Sequence, residues 1–514
     1  MISFVKDHKQ QCIIGMVAAV HTLLTLISDR GIFTFPDVSS SGYTAAIFDY
    51  SLCKILTCIV LYFIYTALWQ LVSKNRKEHC VYDIVMCALP YLVVIIAVCF
   101  IKLPQGYLTN DESSILNDAM NLTHSTWFNV LTPYFFSVSL MILPFKYGPI
   151  IAKLIIEFLT VGYVVYRSKR YFGPKTGLIA YILFLLYPVI AYTTSAHRLP
   201  VYFLLYLILM VKFIFDYLEG HKITPGMIFL IILLGSVLTQ WRTEGIYLAA
   251  LVPILLFLVY PHLRNKKNVL MVLILSVIIQ YAVSIPQNAF SGAQLSDAAN
   301  DRMKPFWAYT ITNMYRNGLD LNKNADDLAI VDKYLSLDAI AAINEHYGDI
   351  NYEDVLILYQ EGFVGVREDA GVTEFVNYSD ALKRIFISNP DVFIRTRIGA
   401  FIYAALPYHV TFEGFGIKSL ARFAFSLVKS LSYNLFIPLA IIVFVLIRSL
   451  AKRKWIDFFI TGGLLAHWFI VFILAPASYF KYYFPIYIMA YWFVIMSIMW
   501  YLKSRFTAKK QSAE

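Results

Sequence analysis

Charge is what this sequence has least of. Only 15% of its 514 residues are Asp, Glu, Lys or Arg, whereas about a quarter is usual for a soluble globular domain. So little charge cannot cover a water-exposed surface of this size, which excludes an ordinary soluble enzyme. Cysteine is scarce as well. The six are Cys12, Cys53, Cys58, Cys80, Cys87 and Cys99, all in the first hundred positions on or beside apolar stretches. No CxxC pair occurs, so neither a disulfide framework nor a zinc site is expected. No P-loop, GxGxxG, HExxH or GxSxG lies in a usable context, and low-complexity tracts and short repeats are absent. Acids such as Asp326-Asp327 and Glu353-Asp354 fall in a long loop expected outside the cell, where nucleotide sugars are not found. ATP-driven and nucleotide-sugar chemistry therefore have no support.

What is present is apolar surface in blocks. Hydrophobic residues make up 59% of the chain and mean hydropathy is +0.63. The surplus falls in runs of about 16–25 residues, the length that crosses ~30 Å of hydrocarbon at about 1.5 Å per residue. An all-α, polytopic membrane bundle of about twelve spans is expected, near 12–27, 52–73, 81–103, 149–166, 176–194, 199–218, 224–241, 245–260, 267–285, 422–447, 456–474 and 481–501. Lys6 and Lys9 precede the first run with no small-residue cleavage site after it, so that helix is expected to be retained. Aromatics reach 16%, consistent with Tyr at bilayer interfaces.

The net charge of +10 could point to nucleic acid, but its distribution points to topology, and no nucleic-acid partner is expected. With the N-terminus inside, the cytoplasmic segments, counting Lys267 at the edge of its span, carry 21 Lys and Arg, and the outer ones apart from 286–421 carry five: Arg30, Lys146, Arg198, Arg242 and Lys481. This positive-inside bias puts both termini in the cytoplasm. It also makes 131–147, with Pro133 and Pro144, an interfacial or re-entrant helix, since another span there would place Arg167–Arg170 outside. Two large outer segments result, 104–148 and 286–421, the second with helices expected near 325–346 and 379–396.

Chemistry-bearing residues gather on that outer face. Asp111 and Glu112 follow directly after the third span. A carboxylate beside apolar surface suits a general base toward a hydroxyl, although a solvated acidic loop would read the same. Three further outer loops carry cations: His197-Arg198, Arg242 with Glu244, and Tyr479-Phe480-Lys481-Tyr482. Arg and Lys at headgroup level suit a phosphate; singly, each could equally be a snorkelling anchor. Lys153 and Glu157, one turn apart in the fourth span, are expected to face the bundle interior and pair. His467 reads as a hydrogen-bonded core histidine and Asp216 with Lys212 as an interfacial pair.

This layout resembles the GT-C superfamily of membrane glycosyltransferases, which includes protein O-mannosyltransferases and the aminoarabinose transferase of lipid A. The resemblance rests on Asp111-Glu112 in the first long outer loop of the core, followed by a juxtamembrane stretch over 113–147. It rests also on Asn389-Pro390-Asp391-Val392-Phe393 before Arg395-Thr396-Arg397, and on the Tyr-rich lead-in Tyr479–Pro485 to the last span. It covers most of 81–501 in topology but few residues in motif. It implies a two-helix addition over 1–80, a GT-C-like core over 81–285 with the catalytic loop 104–148, an extracytoplasmic domain over 286–421 and a C-terminal membrane portion over 422–514. Several relatives carry a further acid in the second outer loop, where this chain has only His197-Arg198; Glu244 could substitute.

The resemblance implies inverting transfer of a sugar from a polyprenyl-phosphate carrier to a glycan, lipid or protein hydroxyl, without a metal or other cofactor. Asp111 would be the base, Glu112 would position sugar hydroxyls, and Arg198, Arg242 and Lys481 would stabilise the leaving phosphate. Two alternatives stay open. A polysaccharide polymerase or ligase would centre on Arg302, Arg316, Arg395 and Arg397, and a lipid or solute transporter would show discontinuous helices and internal repeats.

Overall fold

The computed structural model describes residues 9–40, 42–73, 80–103, 108–123, 128–193, 198–291, 295–347, 365–367, 370–410, 412, 414, 416–475 and 477–511. Among these, everything regular is helix; the one β feature is an isolated bridge between Leu335 and Val366. Among the described residues, nine helical stretches are long and apolar enough to cross a membrane, one of them the interrupted 417–451, the make-up of a multi-pass membrane protein, and three shorter apolar helices accompany them.

The first compact unit comprises residues 1–287, 449–460 and 488–514. Its helices are α1 (Lys9–Asp29), α2 (Tyr43–Val72), α3 (Cys80–Lys102), α4 (Asn110–Asn121), α5 (Leu131–Ile142), α6 (Gly148–Phe172), α7 (Tyr181–Phe184), α8 (Tyr187–Thr193), α9 (Arg198–Glu219), α10 (Pro225–Trp241), α11 (Leu248–Val259) and α12 (Lys266–Ser291). At its centre is α9, 72% of whose apolar window is buried, with α6, α10 and α11 packed against it. In α2 the same share is 11%, so its Ile, Leu and Phe side chains look outward, as lipid-facing residues do. α3 and α6 approach closely at Gly162. A Cβ there would sit 2.3 Å from Ile84 O and 2.9 Å from the Ala88 methyl, so only glycine permits this backbone approach.

One end of this unit carries an ion network. Arg167 bonds Asp216 at 2.9 Å and Glu219 at 3.2 Å, and Lys212 reaches Asp216 at 2.7 Å. Tyr260 OH adds a 2.5 Å bond to Asp216. The expected Asp216–Lys212 pair is thus present within a larger cluster. Buried charge is retained only where it is multiply compensated.

The second unit comprises residues 288–448 and 461–487. It contains α13 (Leu295–Arg316), α14 (Ala325–Val331), α15 (Leu337–Tyr347), α16 (Val372–Ser388) and α17 (Pro390–Ala405), closed around Tyr309, Val331, Tyr334, Tyr378, Leu382 and Ile385. Here too are α18 (Ile417–Ser432), most of α19 (Phe436–Ala451) and the later part of α20 (Trp455–Leu474). The last helix, α21 (Phe484–Gln511), runs on into the first unit.

Several expected elements take a different form. The 176–194 span is a 3-10 turn over Thr176–Ala180 followed by the short α7 and α8. The 422–447 span is two helices, interrupted at Tyr433. The 379–396 helix is broken at Asn389, because Pro390 is sterically suited to a first helical position and not to an interior one. The 131–147 segment is a 12-residue helix with a mostly buried surface.

Candidate functional site

The acidic pair opens α4. Thr109 stands at the N-cap in extended conformation, and Asp111 and Glu112 occupy the first turn, where the helix dipole favours negative charge. Below them Ile115, Leu116 and Ala119 are buried against Tyr134, Phe136 and Leu140 of α5 and Cys53 of α2. Glu112 shares that inward face, three and four residues before Ile115 and Leu116, and is fully buried. Asp111 is one position off it and half-buried. The two acids therefore differ in kind. Thr109 Oγ1 donates to Glu112 Oε2, and Glu112 Oε1 accepts from the backbone N–H of Arg198 at 3.2 Å. Asp111 has no hydrogen-bond or ion-pair partner among the described residues.

Arg198 begins α9 and joins three loops. Its N–H is held by Glu112, and its carbonyl accepts from Trp241 Nε1 at 3.1 Å. Its guanidinium stacks 4.6 Å from the centre of the Phe128 ring. Trp241 meets Phe135 of α5 edge-on at 6.0 Å. The neighbouring Arg242 is buried and pairs through Nε with Glu244 Oε1 at 2.5 Å. The chain turns sharply enough for this pairing because Gly245 lies against Leu238 O, where a Cβ would come within 2.6 Å. Arg242's charge is thus compensated locally by Glu244, whereas Arg198's is presented on an aromatic face.

Lys153 and Glu157 of α6 are both buried, as expected of intramembrane ionisable groups. Lys153 lies within Coulombic reach of Glu157 and of Glu112. Tyr91 OH lies 3.1 Å from Glu157 Oε1 and 2.9 Å from Phe184 O, and shares its proton between them. A chain of buried polar groups therefore leads from α3 through α6 to the start of α4.

A groove of about 370 Å³ separates α12 from α10 and α11. It is lined by Gly235, Ser236, Gln240, Val252, Ser276 and Gln280, and its Gln240 end is next in sequence to Trp241 and Arg242.

The remaining expected residues lie elsewhere. His197 falls outside the described residues. Tyr479, Lys481 and Tyr482 belong to the second unit. There Lys481 Nζ lies 4.6 Å over the Tyr479 ring, and Tyr482 O accepts from His467 Nε2 at 2.8 Å, which accounts for His467 as a bonded core residue. Among the described residues no three His, Cys, Asp or Glu side chains gather so as to hold a metal ion. The sequence reading missed Thr109, Phe128, Phe135, Trp241 and Tyr91. Only Trp241, adjoining Arg242, carried a signal; the others become neighbours through packing. No family model, no curated protein and no solved structure matches this chain.

Proposed function

We propose that the chain is a GT-C-type membrane glycosyltransferase, moving a sugar from a polyprenyl-phosphate carrier to an acceptor hydroxyl on the extracytoplasmic face, with inversion. In this reading eight of the long helices cross the bilayer together with α19 from the 417–451 stretch, α10, α11 and the broken 176–193 segment, giving twelve crossings with both termini inside. The observation that carries the reading is the convergence of the start of α4, the start of α9 and the α10–α11 turn. These bring Asp111-Glu112, Arg198 and Arg242 to one end of one unit.

The chemistry follows from those positions. The Asp111 carboxylate takes the proton of the acceptor hydroxyl as its oxygen bonds to the anomeric carbon. The bond from that carbon to the phosphate oxygen breaks, and its electron pair stays on the phosphate. Arg198, on its aromatic bed, meets the charge that develops there, with Arg242 behind it. The polyprenyl tail of the carrier lies in the groove between α10, α11 and α12. Glu112, with both oxygens engaged by protein groups, holds the Arg198 backbone in register instead of touching sugar.

The polymerase reading keeps an exposed Arg395, but two of its four arginines are engaged within the protein. Arg397 is buried, donating to Phe472 O at 2.6 Å and Ala475 O at 2.9 Å, and Arg316 is held by Asn344 at 2.8 Å. The transporter reading draws on the broken 176–193 segment and the buried Lys153–Glu157 pair. Asp111→Asn separates them. In membranes supplied with a polyprenyl-phosphate sugar pool it should cut transfer by about 10²–10⁴-fold, with donor binding retained. Near-normal transfer by this variant refutes the proposed base.

A further inference from the structure

One helix of the second unit has no buried residue at all. α18, Ile417–Ser432, exposes Ile417 (88%), Val428 (55%) and Leu431 (58%), large apolar side chains that water would not tolerate together. Its sequence separates cleanly around the axis. Ile417, Leu420, Phe423, Phe425, Leu427, Val428 and Leu431, with two alanines, fill an arc of about 200° at 3.6 residues per turn. The complementary arc holds Lys418, Arg422 and Lys429 and three serines, and the helix contains no acid.

α18 is also not the front half of a longer span. The apolar stretch 417–451 has 35 residues, about 52 Å as one helix against a ~30 Å hydrocarbon core. It is divided by specific bonds. Tyr433 N–H closes α18 on Lys429 O at 3.0 Å, Leu435 N–H is held by Ala405 O at 3.1 Å, and Asn434 Oδ1 caps α19 at Ile437 N–H at 3.1 Å. Tyr433 is buried between the rings of Tyr408 and Phe480. The Lys429 ammonium sits 3.6 Å from the centre of the Tyr408 ring, a cation and aromatic pairing suited to headgroup depth.

We infer that α18 lies in the plane of the bilayer interface, its apolar arc among the first acyl carbons and its cations at the phosphates of anionic phospholipids. Phe423 meets the Phe412 ring at 5.6 Å, and the occupant of the rest of this exposed apolar face is lipid. The wide apolar arc calls for hydrocarbon, and three cations without an acid complement a negatively charged surface. The helix thereby fixes the second unit at a set depth, and that depth responds to the headgroup charge of the membrane.

The test uses the full-length chain reconstituted in vesicles, with its six cysteines replaced and one spin label at a time along 417–432. In vesicles rich in phosphatidylglycerol, labels at Leu420, Phe425 and Leu431 should be accessible to oxygen at a depth of about 5–10 Å. Labels at Lys418, Arg422 and Ser426 should be accessible to a water-borne nickel chelate. Depth that increases steadily from 417 to 432 would make α18 part of a span, and water access on both faces would leave its apolar arc to a protein partner; either overturns the inference. The headgroup part is read by K418E/R422E, both exposed positions. Each lost cation should lower the inserted fraction about fivefold in phosphatidylglycerol and have no effect in phosphatidylcholine. An equal effect in both lipids refutes recognition of headgroup charge. The label scan of the unsubstituted chain decides the interfacial placement even if the double variant folds poorly.

Discussion

Asp111 and Glu112 are adjacent in sequence yet should respond oppositely to the same chemical change. Glu112 is fully buried and accepts from both Thr109 Oγ1 and Arg198 N–H, while also facing Lys153 electrostatically. Glu112→Ala leaves the Arg198 N–H without its acceptor and removes one of the anions that Lys153 faces. Hydrogen bonds to a charged group are worth about 1.5–3 kcal/mol, and an orphaned buried donor costs a similar amount, so a loss of about 2–4 kcal/mol is expected once these overlapping terms are counted together. Glu112→Gln, which keeps one carbonyl acceptor, should lose roughly half of that. Asp111 has no such partners, and Asp111→Asn should cost at most about 1 kcal/mol, the helix-dipole contribution, while abolishing most transfer. The assay pairs thermal unfolding of the purified protein in detergent, followed by tryptophan fluorescence, with sugar transfer in membranes. If Asp111→Asn lowers the unfolding temperature as much as Glu112→Ala does, the division of labour drawn from burial is wrong. If Glu112→Ala is as stable as the parent, the tie between α4 and α9 contributes nothing.

Three further outcomes are expected. Arg198→Ala should weaken transfer by about 10- to 150-fold, from loss of a charge-assisted phosphate contact of about 1.5–3 kcal/mol, and Arg242→Ala should weaken it less, since Arg242 is buried against Glu244, while Arg448→Ala, on the face proposed to be cytoplasmic, should not; full activity of Arg198→Ala would remove it from the phosphate site. A cysteine placed at position 453 should be shielded from an impermeant thiol reagent in intact cells and one at position 114 should react, and labelling at 453 would invert the proposed orientation. In the second unit, the Leu337 N–H and the Arg367 guanidinium, each 2.9 Å from Asp332 Oδ1, hold that carboxyl below the usual carboxylate range. A depressed carboxylate stabilises fully above its unfolded pKa of about 4 and loses that contribution as pH falls through the folded value. Hydrogen-exchange protection at the start of α15 should therefore weaken on acidification, and Asp332→Asn should remove that dependence; unchanged pH dependence in the variant would refute the assignment.

The sequence by itself determined where apolar helices lie, because a long hydrocarbon-crossing segment is written locally in uninterrupted apolar residues, as in α3 and α9. It also marked Lys153 and Glu157 as partners, since one helical turn places them on one face. The breaks at Tyr433 and Asn389 and the division of 176–193 were less legible. A helix end is fixed by which carbonyl or side chain reaches a free N–H, and at Leu435 that partner, Ala405, is thirty residues away. The same holds at the candidate site. Composition placed an acid pair and several cations in different loops, but could not say which loops meet. Only the packing of α4 on α5, and of α9 against α10, puts Glu112 on the Arg198 backbone and Trp241 beside it, while assigning Lys481 to the other unit. Nor does sequence distinguish two neighbouring carboxylates. A 100° step around α4 buries one and leaves the other half-open, and that difference exists only once the helix has a side to turn toward the core.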